Sequence, residues 1–343
     1  MRIAVATTIV PFVQGGGRNL FMGLAEALRT RDHEVEEILL PFWPDPAEMV
    51  EQMLALRLLD VSHEAELLVC LRTPSYLLRH PNKVVWFLHH HRPAYDLRET
   101  EYADSTTCHS EAIREAIYDS DQLGLREASR VFAISRVVAE RLRRFSDVAA
   151  DVLYPAFEGD GYRSGDYGDY VFFPSRIAPV KRQALAVEAM AHVRSDVRLV
   201  VAGPPDVPEH LEPLRELVER HGLQERVELL GTWIDEERKR ELYSGALAVL
   251  FPTQDEDGYG YVTAEAFAAE RPVVTCTDSG GPLELVEDRA NGRVVAPEPA
   301  AVARALDELA AKPEEARRLG QQGHRTLDEL HLDWDEVVRV LTQ

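Results

Sequence analysis

Lysine is scarce in this 343-residue chain: Lys83, Lys181, Lys239 and Lys312 stand against 34 arginines. Genomic base composition can produce that bias, so it assigns no function. Cysteine is rarer still. Cys70, Cys108 and Cys276 are scattered and odd in number, which fits buried or idle thiols in a reducing cytosol better than a disulfide framework or a metal knot. No run of apolar residues approaches the length of a membrane span, and Met1–Val10 leads straight into a strand pattern rather than a signal peptide. Low-complexity tracts and short-period repeats are also missing. A basic surface is absent as well, since the formal net charge is −21. Residues 1–155 carry 17 basic and 23 acidic side chains, net −6, and the remainder carries 21 and 36, net −15. Such a surface repels nucleic acid and disfavours broad adsorption to anionic lipid, leaving at most peripheral membrane contact. An anionic ligand must therefore be held by a few chosen cations and backbone donors.

What is present is a grammar of strands and helices, given twice. RIAVATTIV, EVEEILL, ELLVCL, VVWFLH, VFAIS and ADVLY read as strands in the first half, with helical patterns at Pro46–Leu59, His109–Leu123 and Arg136–Arg144. Residues 156–170, AFEGDGYRSGDYGDY, are rich in Gly and Asp, lack periodicity and read as an interdomain linker. The pattern restarts with YVFFPSR, VRLVVAG, VELLG, ALAVLFP and PVVTCT. Apolar strands alternating with helices predict α/β architecture: two doubly wound, Rossmann-like domains of parallel sheet, residues 1–155 and 170–332, facing across a cleft. Ligands of such sheets bind beyond the carboxyl ends of the strands.

Five stretches carry candidate chemistry. QGGGRN, Gln14 to Asn19, follows the first strand and opens the first helix, so Gly16 and Gly17 would let backbone approach an anion at a helix N-terminus; a plain strand–helix turn explains it too. A dinucleotide fingerprint would need a third glycine that the stretch lacks. FFPSRIAPVKRQ sets Arg176 just past a strand and Lys181 near the next helix, a pair suited to a diphosphate leaving group or, more plainly, a solvated loop pair. Arg182 reads as a bystander, because consecutive helical residues do not share a face. VVWFLHHHRPAYDL ends a strand with His89, His90 and His91. Adjacent strand side chains alternate faces, so three in a row do not converge on one metal ion, and a single imidazole at the strand end is a better polar or catalytic candidate.

DEDGYGYVTAEAF, residues 255–267, places Asp257 and Glu265 around a glycine turn with a helix starting near Tyr261. An acid, a tight turn, free backbone N–H groups and a second acid would surround one small volume. Asp255–Glu256–Asp257 resembles an acidic D-x-D metal motif, but two cationic phosphate binders elsewhere make a metal requirement the weaker reading. TDSGGPLELVEDRANGRVV adds Gly280 and Gly281 before a short helix with Glu284, either an anion contact or only a tight connection. No G-x-S-x-G elbow or marked cysteine supports a hydrolase.

Taken in order, DGYGYVTAE with PVVTCTDSGGPLELV, FFPSRIAPVK, QGGGRN and WFLHHHRPAYDL resemble the motifs of glycosyltransferase family 4, most strongly over residues 170–296. The resemblance implies the GT-B fold, with a last helix at 333–343 returning to the first domain. It also implies retaining sugar transfer from a nucleoside-diphosphate sugar, with no cofactor and no obligatory metal. By the same resemblance, Arg176 and Lys181 bind the diphosphate, and Gly258, Tyr259, Gly260, Tyr261 and Val262 present backbone donors. Glu265 holds the ribose hydroxyls, Gly16 and Gly17 close over the donor, and His89, with His91 second, lies near the reacting sugar. Trp233 falls where the family lines its nucleobase pocket, a core tryptophan being the competing reading. The family's first acid is usually Glu, whereas here it is Asp257, shorter by one methylene. A cytoplasmic enzyme is expected, with an acceptor the sequence does not identify. RLRRF, residues 141–145, reads as a solvated helix face that could graze a membrane. Competing readings are a nucleotide-sugar epimerase on the same plan and a transferase-like scaffold without turnover.

Overall fold

The computed structural model describes residues 1–11, 15–43, 45–98, 108–256 and 258–343. The chain divides into two compact units, Met1–Ala156 with Asp333–Gln343, and Phe157–Leu332.

In the first unit β1 (Arg2–Ile9), α1 (Gly16–Arg29), β2 (Glu34–Pro41), α2 (Pro46–Leu58), β3 (Leu67–Cys70), β4 (Lys83–Phe87), α3 (Cys108–Arg126), β5 (Arg130–Ala133), α4 (Arg136–Ser146) and β6 (Asp151–Val152) follow in turn. The strands form one sheet in the order β2-β1-β3-β4-β5-β6, every pair parallel. β3 and β4 are buried throughout, as apolar runs demand of strands covered on both faces, with Lys83 at the start of β4 the one charged residue among them. Trp86 on β4 is fully buried and donates its indole N–H to the Leu153 carbonyl at 2.8 Å.

The second unit runs β7 (Tyr170–Pro174), α5 (Gln183–Met190), β8 (Arg198–Ala202), α6 (Glu212–Arg220), β9 (Val227–Leu230), α7 (Glu236–Gly245), β10 (Ala248–Leu250), α8 (Tyr261–Ala268), β11 (Val273–Cys276), β12 (Gly292–Val295), α9 (Pro299–Ala311) and α10 (Pro313–Leu330). Its sheet is also all parallel, in the order β12-β11-β10-β7-β8-β9. Counted from β7, this is the doubly wound Rossmann order, and the direction of winding reverses between β7 and β10. β12 escapes a reading of apolar runs because only its first residue is buried.

The last helix, α11 (Trp334–Thr342), packs on the first unit. Its Val337, Val338 and Leu341 join that core, and Trp334 lies against Gly23 of α1. Arg130 donates to the Val340 and Leu341 carbonyls at 2.8 and 3.0 Å, satisfying acceptors that a helix end leaves open.

Residues 157–169, expected to behave as a linker, contain no regular secondary structure yet are fastened to the second unit. Fully buried Arg271 donates to the Gly165 and Ser244 carbonyls at 2.7 and 2.5 Å and stacks over the Tyr167 ring at 3.8 Å. The Tyr167 hydroxyl in turn donates to the Glu270 carbonyl. Among the described residues, no helix is long and apolar enough to cross a membrane.

Candidate functional site

The winding of the second sheet reverses between β7 and β10, and the loops leaving the carboxyl ends of these strands and of β11 carry the candidate residues. β7 delivers Ser175 and Arg176. Arg176 is half exposed and ion-paired with Asp206 at 2.5 Å, beyond β8. A 3₁₀ turn, Pro179–Lys181, follows. Lys181 is ion-paired with Glu256 and lies over the Phe251 ring at 5.6 Å. Arg182, expected to be a helical bystander, is not helical. It sits in the left-handed region at φ 59°, just before α5, and pairs through both guanidinium nitrogens with Asp278 at 2.7 Å. The 3₁₀ turn and this residue break the helix register on which the expectation rested.

The loop after β10 is laced to its neighbours by backbone bonds. Gln254 N–H donates to the Val180 carbonyl at 2.8 Å, Asp255 N–H to the Asp278 carbonyl at 2.9 Å, and Glu256 N–H to the Ser279 carbonyl at 2.9 Å. The two glycines after β11 make this approach possible. A Cβ on Gly281 would fall inside the Gly258 carbonyl, and one on Gly280 would lie 2.7 Å from the Glu256 carbonyl oxygen. They make a tight connection that packs against the backbone of Glu256 and Gly258. Asp257 itself lies outside the described residues.

Gly260, at φ 77°, opens α8 in a conformation that suits only glycine. The Tyr261 and Val262 N–H groups follow at the helix start, where backbone donors have no intrahelical partner. Tyr259 is buried and Tyr261 half-buried, their rings 5.9 Å apart. Burial, and then the nearby Glu265 charge, raise the Tyr261 pKa, so its hydroxyl stays protonated. Thr253 and Thr263 have buried hydroxyls without a hydrogen-bond partner among the described residues.

One turn into α8, Glu265 is enclosed by groups that no motif announced. Lys239 of α7 donates to one carboxylate oxygen at 2.9 Å, and the Tyr243 hydroxyl donates to the other at 2.7 Å. Tyr162, from the segment expected to be a linker, stands beside them, and burial and then the Glu265 charge raise its pKa. The Tyr162 and Tyr243 rings meet edge to face at 5.6 Å. Burial opposes the charge on Lys239, but Glu265, joined by Glu236, outweighs it and raises the lysine pKa. Trp233, between β9 and α7, is 63% exposed, which rules out a core tryptophan.

The first unit holds the other candidates. β4 ends at Phe87, so His89, His90 and His91 lie in the following loop and the argument from alternating strand faces does not apply to them. His90 is buried against Phe87, Tyr95 and Phe145, with Nε2 3.0 Å from Ser146 Oγ. Burial, then His89, push its pKa down to about 3. His89 is half-buried, its Nδ1 2.7 Å from the His90 carbonyl. Burial and then Arg72 lower its pKa to about 4, so it is a neutral imidazole at pH 7. The loop is anchored by Tyr95, whose hydroxyl donates at 2.7 Å to buried Asp121, a carboxyl that also accepts from Tyr76 at 2.5 Å. Gly16 and Gly17 form the first turn of α1, and Gly17 faces Leu88 at the root of the histidine loop. Gln14 lies outside the described residues. Arg141 departs from its expected solvated face: it is buried and paired with Asp96 at 3.3 Å. Among the described residues, no cluster of three or more His, Cys, Asp or Glu side chains forms a metal site. Cys70 and Cys276 are buried and burial pushes both thiols up to about 12, which leaves them inert as nucleophiles.

Comparison with known proteins agrees with this geometry. Residues 163–326 match the family model for glycosyl transferases group 1, supporting that superfamily for the second unit. The human alpha-1,3/1,6-mannosyltransferase ALG2 is 25% identical over 217 residues, covering 56% of this chain and 51% of that protein. A D-inositol 3-phosphate glycosyltransferase of Xylanimonas cellulosilytica is 31% identical over 173 residues, covering 50% of this chain and 40% of that protein. The chain spans about half or less of the length of the curated relatives it matches. Among solved structures, sucrose-phosphate synthase from Thermosynechococcus elongatus superposes with a TM-score of 0.78 at 20% identity, covering 99% of this chain and 97% of that one. Anabaena Alr3699/HepE in complex with UDP gives 0.76 at 17% identity over the whole of both chains. The fold is therefore that of the GT-B glycosyltransferases.

Proposed function

We propose that the chain is a retaining glycosyltransferase that moves a sugar from a nucleoside-diphosphate sugar to an acceptor. The observation that carries this reading is the gathering of Arg176, Lys181, the open N-terminus of α8 and Glu265 beyond the carboxyl ends of β7 and β10. Two cations and helix-end N–H groups suit a diphosphate, and a carboxylate one turn further suits the ribose hydroxyls. The HepE structure carries UDP, which supports a nucleotide donor here.

The mechanism assigned to this site needs neither a covalent nucleophile nor a resident metal. The bond from the sugar C1 to the diphosphate oxygen breaks while the acceptor oxygen forms a bond to C1 on the same face. The acceptor's proton passes to the departing phosphate. Arg176, Lys181 and the α8 N-terminus stabilise the charge that grows on the diphosphate. The family resemblance alone assigns His89 as a neutral hydrogen-bonding group and Gly16, Gly17 and Trp233 as donor-contact residues. The reaction is assigned to the cytoplasm.

Calorimetric titration with UDP, GDP, ADP and dTDP tests the donor site. Selective binding of a nucleotide, lost in the Arg176→Ala, Lys181→Ala double variant, is expected. No binding at millimolar concentration would leave the scaffold reading in its place. Product analysis with donor alone separates transfer from epimerisation, since an epimerase converts the sugar without an acceptor.

A further inference from the structure

Glu265 is held on both carboxylate oxygens by residues outside any recognised motif, and the way it is held bears on which nucleotides the site accepts. A carboxylate offers about four lone-pair positions, two on each oxygen. Lys239 occupies one on Oε1 and Tyr243 one on Oε2. Each oxygen thus keeps capacity for one further donor, and Tyr162 stands near enough for burial and then the Glu265 charge to raise its pKa. The holders differ in rigidity. Tyr243 is fully buried on α7, its ring edge-on to Phe172 of β7 at 5.0 Å. The Lys239 side chain is 20% exposed on the same helix, four residues earlier, where side chains share a face. Tyr162 stands in an irregular segment and is half-buried. Two donors from one helix, one on each oxygen, fix the plane of the carboxylate. A rotating carboxylate would accept one hydroxyl in many poses, whereas a fixed one presents two oxygens side by side.

We propose that Lys239 and Tyr243 are positioning residues that hold Glu265 in one orientation, so that its two oxygens receive the vicinal hydroxyls of a ribose and the site discriminates against 2′-deoxyribose. This deepens the nucleotide-donor reading above and rests on it. Neither residue touches the diphosphate in this arrangement. Their loss should therefore weaken ribose selection and leave phosphate binding in place.

The test is calorimetric titration of UDP, GDP and ADP, each beside its 2′-deoxy counterpart, with dTDP included, on the wild type, Tyr243→Phe and Lys239→Met. Tyr243→Phe keeps the ring packing and removes only the hydroxyl, so it serves if Lys239→Met fails to fold. For the nucleotide bound best, the wild type should prefer the ribose form by about tenfold or more, the scale of one hydrogen bond to a charged group. In each folded variant that ratio should fall to within about threefold, with a smaller loss for the 2′-deoxy form, which keeps only its 3′-hydroxyl on Glu265. A wild type that binds no nucleotide overturns the donor reading and this proposal with it. A wild type that binds a nucleotide but treats ribose and deoxyribose alike, or prefers dTDP, overturns the proposal and leaves the donor reading standing. So does a ratio that Tyr243→Phe leaves unaltered, or an equal loss of both forms, which marks a merely structural role.

Discussion

The ammonium of Lys181 is ion-paired with the carboxylate of Glu256, the residue just before the acid that the family's spacing selects. The lysine proposed for the diphosphate thus already has an anionic partner, as Arg176 has in Asp206. A phosphate entering the site must compete with these carboxylates for the cations. In a protein of net charge −21, such pairing also limits the pull on stray anions.

Replacing Glu256 with Gln should accordingly tighten nucleoside-diphosphate binding, by about threefold to tenfold, as removal of a competing charge near a charged hydrogen bond would. Lys181→Met should weaken it by about tenfold or more. Both effects should shrink as salt is raised. Calorimetry at low and high ionic strength measures them, and weaker binding by Glu256→Gln would show that Glu256 orients the lysine rather than competing with ligand.

Gly281→Ala should damage the site from behind. Its new methyl group would collide with the Gly258 carbonyl, so the turn leading into α8 must shift. We expect a stability loss of about 1–3 kcal/mol, as for overpacking elsewhere, together with weaker nucleotide binding. Gly15→Ala in the first unit meets no atom within 4 Å among the described residues and is the control for stability. Thermal melts and titration of both variants decide the matter, and indifference of the first would show that the turn adapts freely.

Acid should destabilise the protein through His90. Its pKa is about 3 in the fold against an ordinary 6.5. Between those values the unfolded chain binds a proton that the folded chain refuses, so stability falls as pH drops below about 6.5, by up to about 1.4 kcal/mol per pH unit for this one group. Urea midpoints measured from neutral pH downward should show a shallower acid limb for His90→Gln. Parallel curves for variant and wild type would remove His90 from the account.

His89→Ala should lower kcat for transfer by about 10²-fold, the lower end of what a polar catalytic group contributes, with nucleotide affinity intact. Single-turnover rates with a competent acceptor provide the measurement. An unaltered rate would reduce the imidazole to the neutral structural group that its hydrogen bond to the His90 carbonyl also suits.

The strands were readable because parallel sheet buried on both faces leaves unbroken apolar runs, as in ELLVCL and PVVTCT. β12 was not, since three of its four residues are only partly covered. Glu265 was readable from its spacing after a glycine turn. Lys239 and Tyr243 were hidden in ERKRELYSG, a stretch so charged that it reads as a solvated helix; nothing local says that one face turns toward α8. Tyr162 was hidden by company, because glycine and aspartate around it spell a loose connection. Arg141 misled in the opposite direction: an arginine in RLRRF reads as surface, and only the Asp96 carboxylate explains its burial, while buried Arg271, held by the Gly165 and Ser244 carbonyls, carried no signal at all. Partners distant in sequence leave no periodic trace.

The scarcity of lysine has a practical consequence once Lys83 is placed. Its ammonium is fully buried and bonded to the Tyr76 and Leu78 carbonyls at 2.7 and 3.2 Å, beyond the reach of reagents. Of the remaining three, Lys181 and Lys239 belong to the candidate site, and only Lys312, at the junction of α9 and α10, lies away from it. Amine-directed reagents therefore meet few targets on this protein: exposed Lys312 and the exposed Met1 amine react readily, whereas Lys181 and Lys239 are mostly covered and each ion-paired with a carboxylate. Reaction read residue by residue, with and without nucleotide, would footprint the two pocket lysines against those two reference amines.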